Sequence, residues 1–142
     1  MKTVSLSEFA AALGMSHSVV STKLGAGFFG NEAGKNGREY LLSFAHAVAY
    51  VAAVRASGIG CSKSDARSVA SVVYTNVADG VDLTDRKVVI CRRITGTGTD
   101  MTACGLDNQI DSSDGSIVYS IALDFILAEA QKTFDRALAV PV

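Results

Sequence analysis

Residues 5–24 hold the feature that most constrains the fold, because two short helical patterns meet there at a glycine. Phe9, Ala10 and Leu13 recur at helical spacing, and Gly14 follows them directly. A glycine in that position can adopt a positive φ and end the helix. Ser16 stands where it can cap a second helix that continues to residue 24. The pattern predicts two helices hinged at Gly14, the layout of a helix-turn-helix, which places one helix in the DNA major groove.

The start of the first helix and the two faces of the second can also be predicted. Ser5 and Glu8 have the spacing of a capping box, so the first helix should begin just after Ser5. We expect Val19, Val20 and Leu24 to form the buried stripe of the second helix. Its exposed face then carries small hydrogen-bonding groups and one cation, which suit contact with base edges and phosphates. The DNA-binding residues predicted on this helix are Ser16, His17, Ser18, Ser21, Thr22 and Lys23.

The segment that follows, residues 25–41, is too rich in glycine and asparagine to form a stable helix. Phe28-Phe29 and residues 38–41 are predicted to form two short strands, joined by a turn over residues 31–37. A hairpin directly after a recognition helix is the wing of a winged helix, and the alternative is a solvated loop. On this wing we expect Lys35, Asn36 and Arg38 to reach phosphates or the minor groove. Ser43 is predicted to cap a third helix, over residues 44–57, and Ser62 or Ser64 a fourth that ends near residue 80.

The order of these pieces resembles the N-terminal domain of MerR-type winged-helix regulators. The resemblance covers about residues 3–75 and is carried by four motifs. They are Glu8-Phe9-Ala10 with Gly14-Met15-Ser16, then Gly27-Phe28-Phe29, then Gly37-Arg38-Glu39-Tyr40, and finally Val54-Arg55-Ala56-Ser57-Gly58. The resemblance implies a winged helix-turn-helix that binds double-stranded DNA.

The chain also departs from that family. Arginine and tyrosine are usual in and just after the family's recognition helix, whereas this chain has Ser21, Thr22 and Lys23 there. No long coiled-coil helix and no metal-binding cysteine loop follow, so metal-sensing activators match poorly. Excisionases and small phage or plasmid repressors share the DNA-binding half and remain alternatives.

Charge is divided unevenly along the chain. The net charge is −1, but residues 1–67 carry seven Lys/Arg against four Asp/Glu, and residues 68–142 carry six against ten. The first half is therefore +3 and the second −4. A basic half that coincides with the helix-turn-helix favours a nucleic-acid partner there. The acidic half offers a surface for a protein partner or an effector.

The second half reads as strands followed by one amphipathic helix. Residues 85–94, 101–106 and 116–123 are rich in β-prone residues, and residues 124–138 show helical spacing after a predicted N-cap at Asp124. The apolar stripe of this last helix suits pairing across a two-fold axis, the interpretation we favour, or packing onto the chain's own sheet. The dimerisation residues predicted on it are Ile126, Ala130, Phe134 and Leu138.

Other functional classes find little support in the sequence. The three cysteines, Cys61, Cys91 and Cys104, lack the spacing of a zinc site, although a redox role stays open. His46 lies among apolar residues and is expected to be packed rather than to act as a base. We therefore expect no enzyme activity, no cofactor and no metal. Apolar runs are too short for a transmembrane helix, and no signal-peptide core follows Met1, which favours a cytoplasmic protein.

The sequence thus predicts an α+β protein. A winged helix-turn-helix over residues 1–80 would bind DNA, and a small sheet with a C-terminal helix over residues 81–142 would dimerise or regulate. The predicted function is a homodimeric transcriptional regulator, a repressor of phage or mobile-element type that reads a palindromic operator. The alternatives are an excisionase-like architectural DNA binder, a protein-interaction module on the same scaffold, and a small ligand-binding or enzymatic module on the second-half sheet.

Overall fold

The computed structural model describes residues 2–94, 96, 100–111 and 115–140, and shows a mixed α+β protein. The elements in chain order are β1 (Thr3–Ser5), α1 (Leu6–Leu13), α2 (His17–Gly25), β2 (Gly34–Asn36), β3 (Glu39–Ser43), α3 (Phe44–Gly58), α4 (Lys63–Ala78), β4 (Lys87–Ile94), β5 (Asp100–Leu106), β6 (Ser116–Ala122) and α5 (Leu123–Leu138).

Serine caps start the first four helices, as the sequence predicts. Ser5 and Glu8 form the capping box of α1, and Ser16 caps α2. Ser43 and Ser62 cap α3 and α4 through backbone N–H groups three residues on. Gly14 ends α1 with a φ of 69°. These boundaries are set by hydrogen bonds between near neighbours, which is why local sequence predicts them.

The first sheet has the strand order β1-β3-β2, with both pairings antiparallel. β1 was not predicted: it is three residues long, and its buried Val4 pairs with Leu42 in β3. β2 and β3 form a hairpin whose turn is Gly37-Arg38. The hairpin was predicted to begin at Phe28-Phe29, and that start is wrong, because both rings are buried in the core and the strand begins at Gly34.

The second sheet, of order β5-β4-β6, is also antiparallel. The predicted strands are confirmed, and β4 is buried at its centre from Val88 to Cys91. Arg92 of β4 forms an ion pair with Asp65, a buried carboxylate in the first turn of α4, so this sheet is tied to α4. The predicted cap of α5 is wrong: Ala122 is the N-cap, and Asp124 accepts a hydrogen bond from the Asp85 backbone N–H at 3.0 Å.

One hydrophobic core joins the two predicted segments. It runs from Val4 to Ala137, and α5 packs on α1 and α3. Ile126, Ala130 and Phe134 of the predicted dimerisation stripe are buried in this core, and the Phe134 ring meets Phe44 edge-on at 5.8 Å. The prediction that these three side chains form a dimer interface is wrong, because α1 and α3 already cover them. Leu138 remains 40% exposed.

Within the described residues, no helix has both the length and the apolar character needed to cross a membrane.

Candidate nucleic-acid interface

Helix α2 is anchored on one side and presents polar side chains on the other. Val20 is fully buried and fixes the helix to the core. At the N-terminus, the Ser16 hydroxyl accepts a hydrogen bond from the Val19 N–H at 3.4 Å and lies 3.3 Å from the Ser18 hydroxyl. The predicted buried stripe is only partly correct, because Leu24 is half-buried and Val19 is 43% exposed.

The predicted contact residues of α2 differ in how free they are. Ser16, His17, Ser18 and Thr22 are exposed, whereas Ser21 and Lys23 are half-buried. The Thr22 hydroxyl donates to the Ser18 carbonyl oxygen at 2.9 Å, which leaves its oxygen as an acceptor for a partner. The exposed end of the helix therefore offers mainly hydroxyls and one imidazole.

Two lysines near this surface are held against aromatic rings. The Lys23 Nζ lies 4.8 Å from the centroid of Phe28, and the Lys35 Nζ lies 4.4 Å from that of Tyr40. Such cation–π contacts contribute about 0.5–1 kcal/mol at exposed sites. They restrict where each ammonium can lie but leave its charge in place. Asn36, just before the hairpin turn, and Arg38, within the turn, are exposed as well.

A cleft of about 990 Å³ separates α2, the hairpin and α4. Its walls combine hydroxyls, two cations and one carboxylate, that of Glu32, with aromatic and aliphatic carbon between them. We call this surface the α2–hairpin cleft. Its side-chain walls are Ser21 and Leu24 from α2, Lys35 and Tyr40 from the hairpin, and Arg67, Ser68 and Ser71 from α4.

Arg67 is the functional candidate that sequence reasoning missed. A Cβ built on Gly27, whose φ is 83°, would stand 2.7 Å from the Arg67 Cδ. The aliphatic part of Arg67 thus packs against bare backbone in the turn after α2, and the residue reaches the α2–hairpin cleft from α4. Only a glycine at position 27 permits that approach. The sequence does show Gly27 in the turn, but Arg67, the residue that packs against it, lies 40 positions further along the chain.

Aromatic packing fixes α1 and the turn after α2 to α3. Phe29 stacks on Tyr50 at 4.7 Å between centroids, and Phe9 meets both rings edge-on at 5.7 and 5.6 Å. Offset and edge-on pairs of this kind add about 0.5–1.5 kcal/mol beyond burial. These ring contacts fix the core beneath the polar surface of α2, and Phe29 contributes to them from a turn rather than from a strand.

Glu39 connects the hairpin to α1. Its Oε1 accepts a hydrogen bond from the Ser7 backbone N–H at 3.0 Å, in the first turn of α1. That hydrogen bond is the main cause that lowers the pKa of the Glu39 carboxyl, and the charge of nearby His17 lowers it further. The hairpin and the start of α2 therefore lie close enough for their charges to interact.

His46 is a buried structural residue, as the sequence predicts. Its Nδ1 accepts from the Ser43 backbone N–H at 3.0 Å, which assigns the ring proton to Nε2, and Nε2 lies 3.2 Å from the Glu32 carbonyl oxygen. Burial lowers the pKa of His46 below its ordinary value, so the imidazole is neutral at pH 7. This bridge ties the segment that enters β2 to the start of α3.

The environments of Cys61 and Cys104 do not favour a reactive thiolate. Cys61 and Cys91 are buried and Cys104 is half-buried, and all three are free. Burial raises the pKa of the Cys104 thiol to about 11 and also raises that of Cys61, so both stay protonated at neutral pH. Among the described residues, no cluster of His, Cys, Asp or Glu could hold a metal ion.

Comparison with known proteins gives no relative from which to assign this surface. No family model matches the chain, and neither a characterised protein nor a solved structure is significantly similar to it. The resemblance to MerR-type regulators therefore stays a prediction, and the functional argument depends on the geometry of the chain itself.

Proposed function

We propose that this chain is a sequence-specific DNA-binding regulator whose first half is a winged helix-turn-helix. α2 would be the recognition helix, and the β2–β3 hairpin would be the wing. The observation that carries the proposal is that Ser21 of α2, Lys35 of the hairpin and Arg67 of α4 line one cleft.

The strand order β1-β3-β2 supports the proposal. In this order β3 is the central strand: it pairs with β2 in the hairpin on one side and with β1, the short strand before α1, on the other. This pairing anchors the hairpin to the strand that leads into α1, across the cleft from α2, rather than leaving it as a free loop. A rigid hairpin beside a polar helix is what a wing needs in order to reach the DNA backbone next to the groove that the helix enters.

The contacts divide naturally into two kinds. Ser18, His17 and Thr22 lie at exposed positions on α2 and suit hydrogen bonds to base edges, which carry sequence information. Lys35, Arg38 and Arg67 carry permanent charge and suit phosphates, which fix position but not sequence. Recognition would therefore depend on hydroxyls and an imidazole, with arginine used for the backbone.

The proposal is tested by selecting bound sites from a random DNA pool and then titrating salt. We expect an enriched sequence, and we expect the logarithm of affinity to fall with the logarithm of salt by about 0.9 per phosphate contact. Arg67→Ala and Arg38→Ala should each weaken binding roughly tenfold on all sequences and reduce that slope by about one. Ser18→Ala should instead alter the selected sequence.

Arg136→Ala is the matched control, because Arg136 is an exposed arginine on α5 that does not line the cleft. It should leave both affinity and salt slope unchanged. If no sequence is enriched and binding at low salt is absent, the DNA-binding proposal is wrong. If Arg136→Ala and Arg67→Ala behave alike, the proposed phosphate contacts are wrong.

A protein-interaction module is the second candidate, favoured by two carboxylates on the same side of the molecule. Glu32 lines the α2–hairpin cleft. Glu39 lies close enough to His17 for the charge of His17 to lower the pKa of the Glu39 carboxyl. Carboxylates repel phosphate but fit a protein surface of mixed charge. Glu32→Gln separates the two candidates: it should strengthen DNA binding if phosphate enters the cleft, and it should weaken capture of a protein partner that pairs with Glu32.

A further inference from the structure

Strand β6 exposes large apolar residues to solvent. Ile117 is 64% exposed and Val118 is 44% exposed. Ser116, Ser120 and Ala122 are exposed as well, so most of this seven-residue strand faces solvent. Because β6 lies at the end of the order β5-β4-β6, only one of its two edges, the one facing β4, is paired among the residues that the structure describes.

The other edge of β6 lacks most of the devices that keep sheet edges apart. Edge strands are usually protected by lysine, proline, shortness or a bulge, because their unpaired N–H and C=O groups template further pairing. β6 contains no proline, and residues 115–123 contain no charged side chain at all. It does have a bulge: Tyr119 pairs with Ile90 and Ile117 with Cys91, which leaves Val118 as the extra residue.

We propose that β6 pairs antiparallel with β6 of a second copy of this chain, which joins two three-stranded sheets into one of six strands. This inference supplies a contact for the homodimer that the sequence predicts, and it rests on the proposed DNA-binding function only for the need of a second copy. It also replaces the α5 stripe, whose Ile126, Ala130 and Phe134 are already covered within the chain.

The composition of the edge favours a second copy over a foreign strand. A two-fold axis would place β6 against β6 of the second copy, so a charged residue on the strand would lie close to the same charge on its symmetry mate and repel it. β6 has no charged residue. A foreign strand would be selected by pockets or charges beside the edge. Along the strand itself, the exposed neighbours of Ile117 and Val118 are the small side chains of Ser116 and Ser120. The charged side chains next to β6, those of Lys87 and Arg92, belong to β4 on its already paired edge.

Sedimentation equilibrium of the full chain without DNA tests the proposal. The wild type should have twice the 14.8 kDa chain mass at about 0.1 mM, where contacts of micromolar affinity form. Val118→Lys should weaken self-association by about tenfold or more, because two lysines then approach each other across the axis. Val81→Lys is the matched control, since Val81 is also a valine with 44% exposure and should leave the mass unchanged.

Charge reversal makes the test specific for the β6 edge. Val118→Glu should dissociate the dimer as Val118→Lys does, and mixing equal amounts of the two variants should restore twice the chain mass. If Val118→Lys fails to fold, as judged by circular dichroism, Ser120→Lys takes its place because Ser120 is exposed on the same strand.

A monomeric wild type, a dimer that persists in both lysine variants of β6, or a mixture that stays monomeric would overturn the proposal. A monomer that captures an unrelated strand at this edge would do the same. Since mass is measured without DNA, failure here is distinct from failure of DNA binding.

Discussion

The α2–hairpin side and the β6 edge both expose much of their surface, but they expose it in opposite ways. On the α2–hairpin side the exposed groups are mainly hydroxyls, amides and charged side chains of both signs, and several are fixed by a local contact, such as Lys35 on Tyr40. On β6 the exposed groups are Ile117 and Val118 together with small residues, without any charge.

The contrast teaches what each surface can bind. Groups that stay hydrated and charged suit a partner that is itself hydrated and charged, such as a nucleic-acid backbone. An uncharged strand edge suits a partner that removes it from water through main-chain hydrogen bonds. The predictions that follow are changes that should affect one of these surfaces and spare the other.

Gly30→Ala should have the largest effect, and on the α2–hairpin side alone. Gly30 has a φ of 83°, and a Cβ there would overlap the Tyr74 Cβ and the Ala70 carbonyl oxygen of α4. Strain and overlap together should lower the free energy of unfolding by about 3 kcal/mol, measured by urea denaturation. Gly34→Ala, which meets no atom within 4 Å, should cost less than about 0.5 kcal/mol. Equal effects of the two substitutions would refute the close approach.

Arg92→Ala should have the next largest effect, on the β4–β6 side. Removing the guanidinium leaves the buried Asp65 carboxylate without its ion-pair partner. We expect a loss of about 2 kcal/mol in the free energy of unfolding. Replacing both residues, with Arg92→Leu and Asp65→Asn, should recover part of that loss because no unpaired charge stays buried. If the double variant is as unstable as Arg92→Ala, the unpaired charge is not the cause.

His46, which ties the segment before β2 to α3, should make the free energy of unfolding depend on pH. Because burial lowers the pKa of His46 in the folded chain, the unfolded chain takes up a proton first as the pH falls. Stability should therefore be intact above the ordinary histidine value of 6.5 and decline as the pH falls from there through the lower folded pKa. His46→Gln should reduce this decline between pH 7 and 5 in thermal melts. His17→Gln, at an exposed position, is the control and should retain it.

Asp124→Ala should have the smallest effect and should be confined to the junction of β6 and α5. It removes the acceptor of the Asp85 backbone N–H, a single exposed hydrogen bond. We expect a loss of about 0.5–1 kcal/mol in the free energy of unfolding. Asp124→Asn keeps an acceptor oxygen and should lose less, and an equal loss would assign the effect to charge instead.

Much of the fold could be predicted because its helix boundaries are local. Ser5 with Glu8, Ser16 and Ser43 each satisfy backbone groups within three residues, so short stretches of sequence determine them. β1 was missed because three residues carry no periodicity and acquire their pairing only from β3. Phe28-Phe29 was misassigned because an apolar pair looks the same in a strand and in a buried turn.

The candidate site was predictable in part. The polar residues of α2 follow from helical spacing once the helix is known, and Lys35 and Arg38 follow from their place near the hairpin turn. Arg67 could not be predicted, since its approach to Gly27 depends on how α4 packs across the turn after α2. Likewise, the apolar stripe in the sequence of α5 predicts that one face of the helix is buried, but it does not predict which surface covers that face.

The sequence alone thus determined where most helices begin and end, which segments of the second half are extended, and which face of α1 and of α5 avoids water. Those properties depend on caps, φ preferences and spacing, which act over a few residues. Only the tertiary structure decided that α5 packs inside the chain, that Arg67 joins the α2–hairpin cleft, and that β6 is the outer strand of its sheet. Each of these follows from contacts between segments far apart in the chain, and no local pattern records which distant surface will cover a given face.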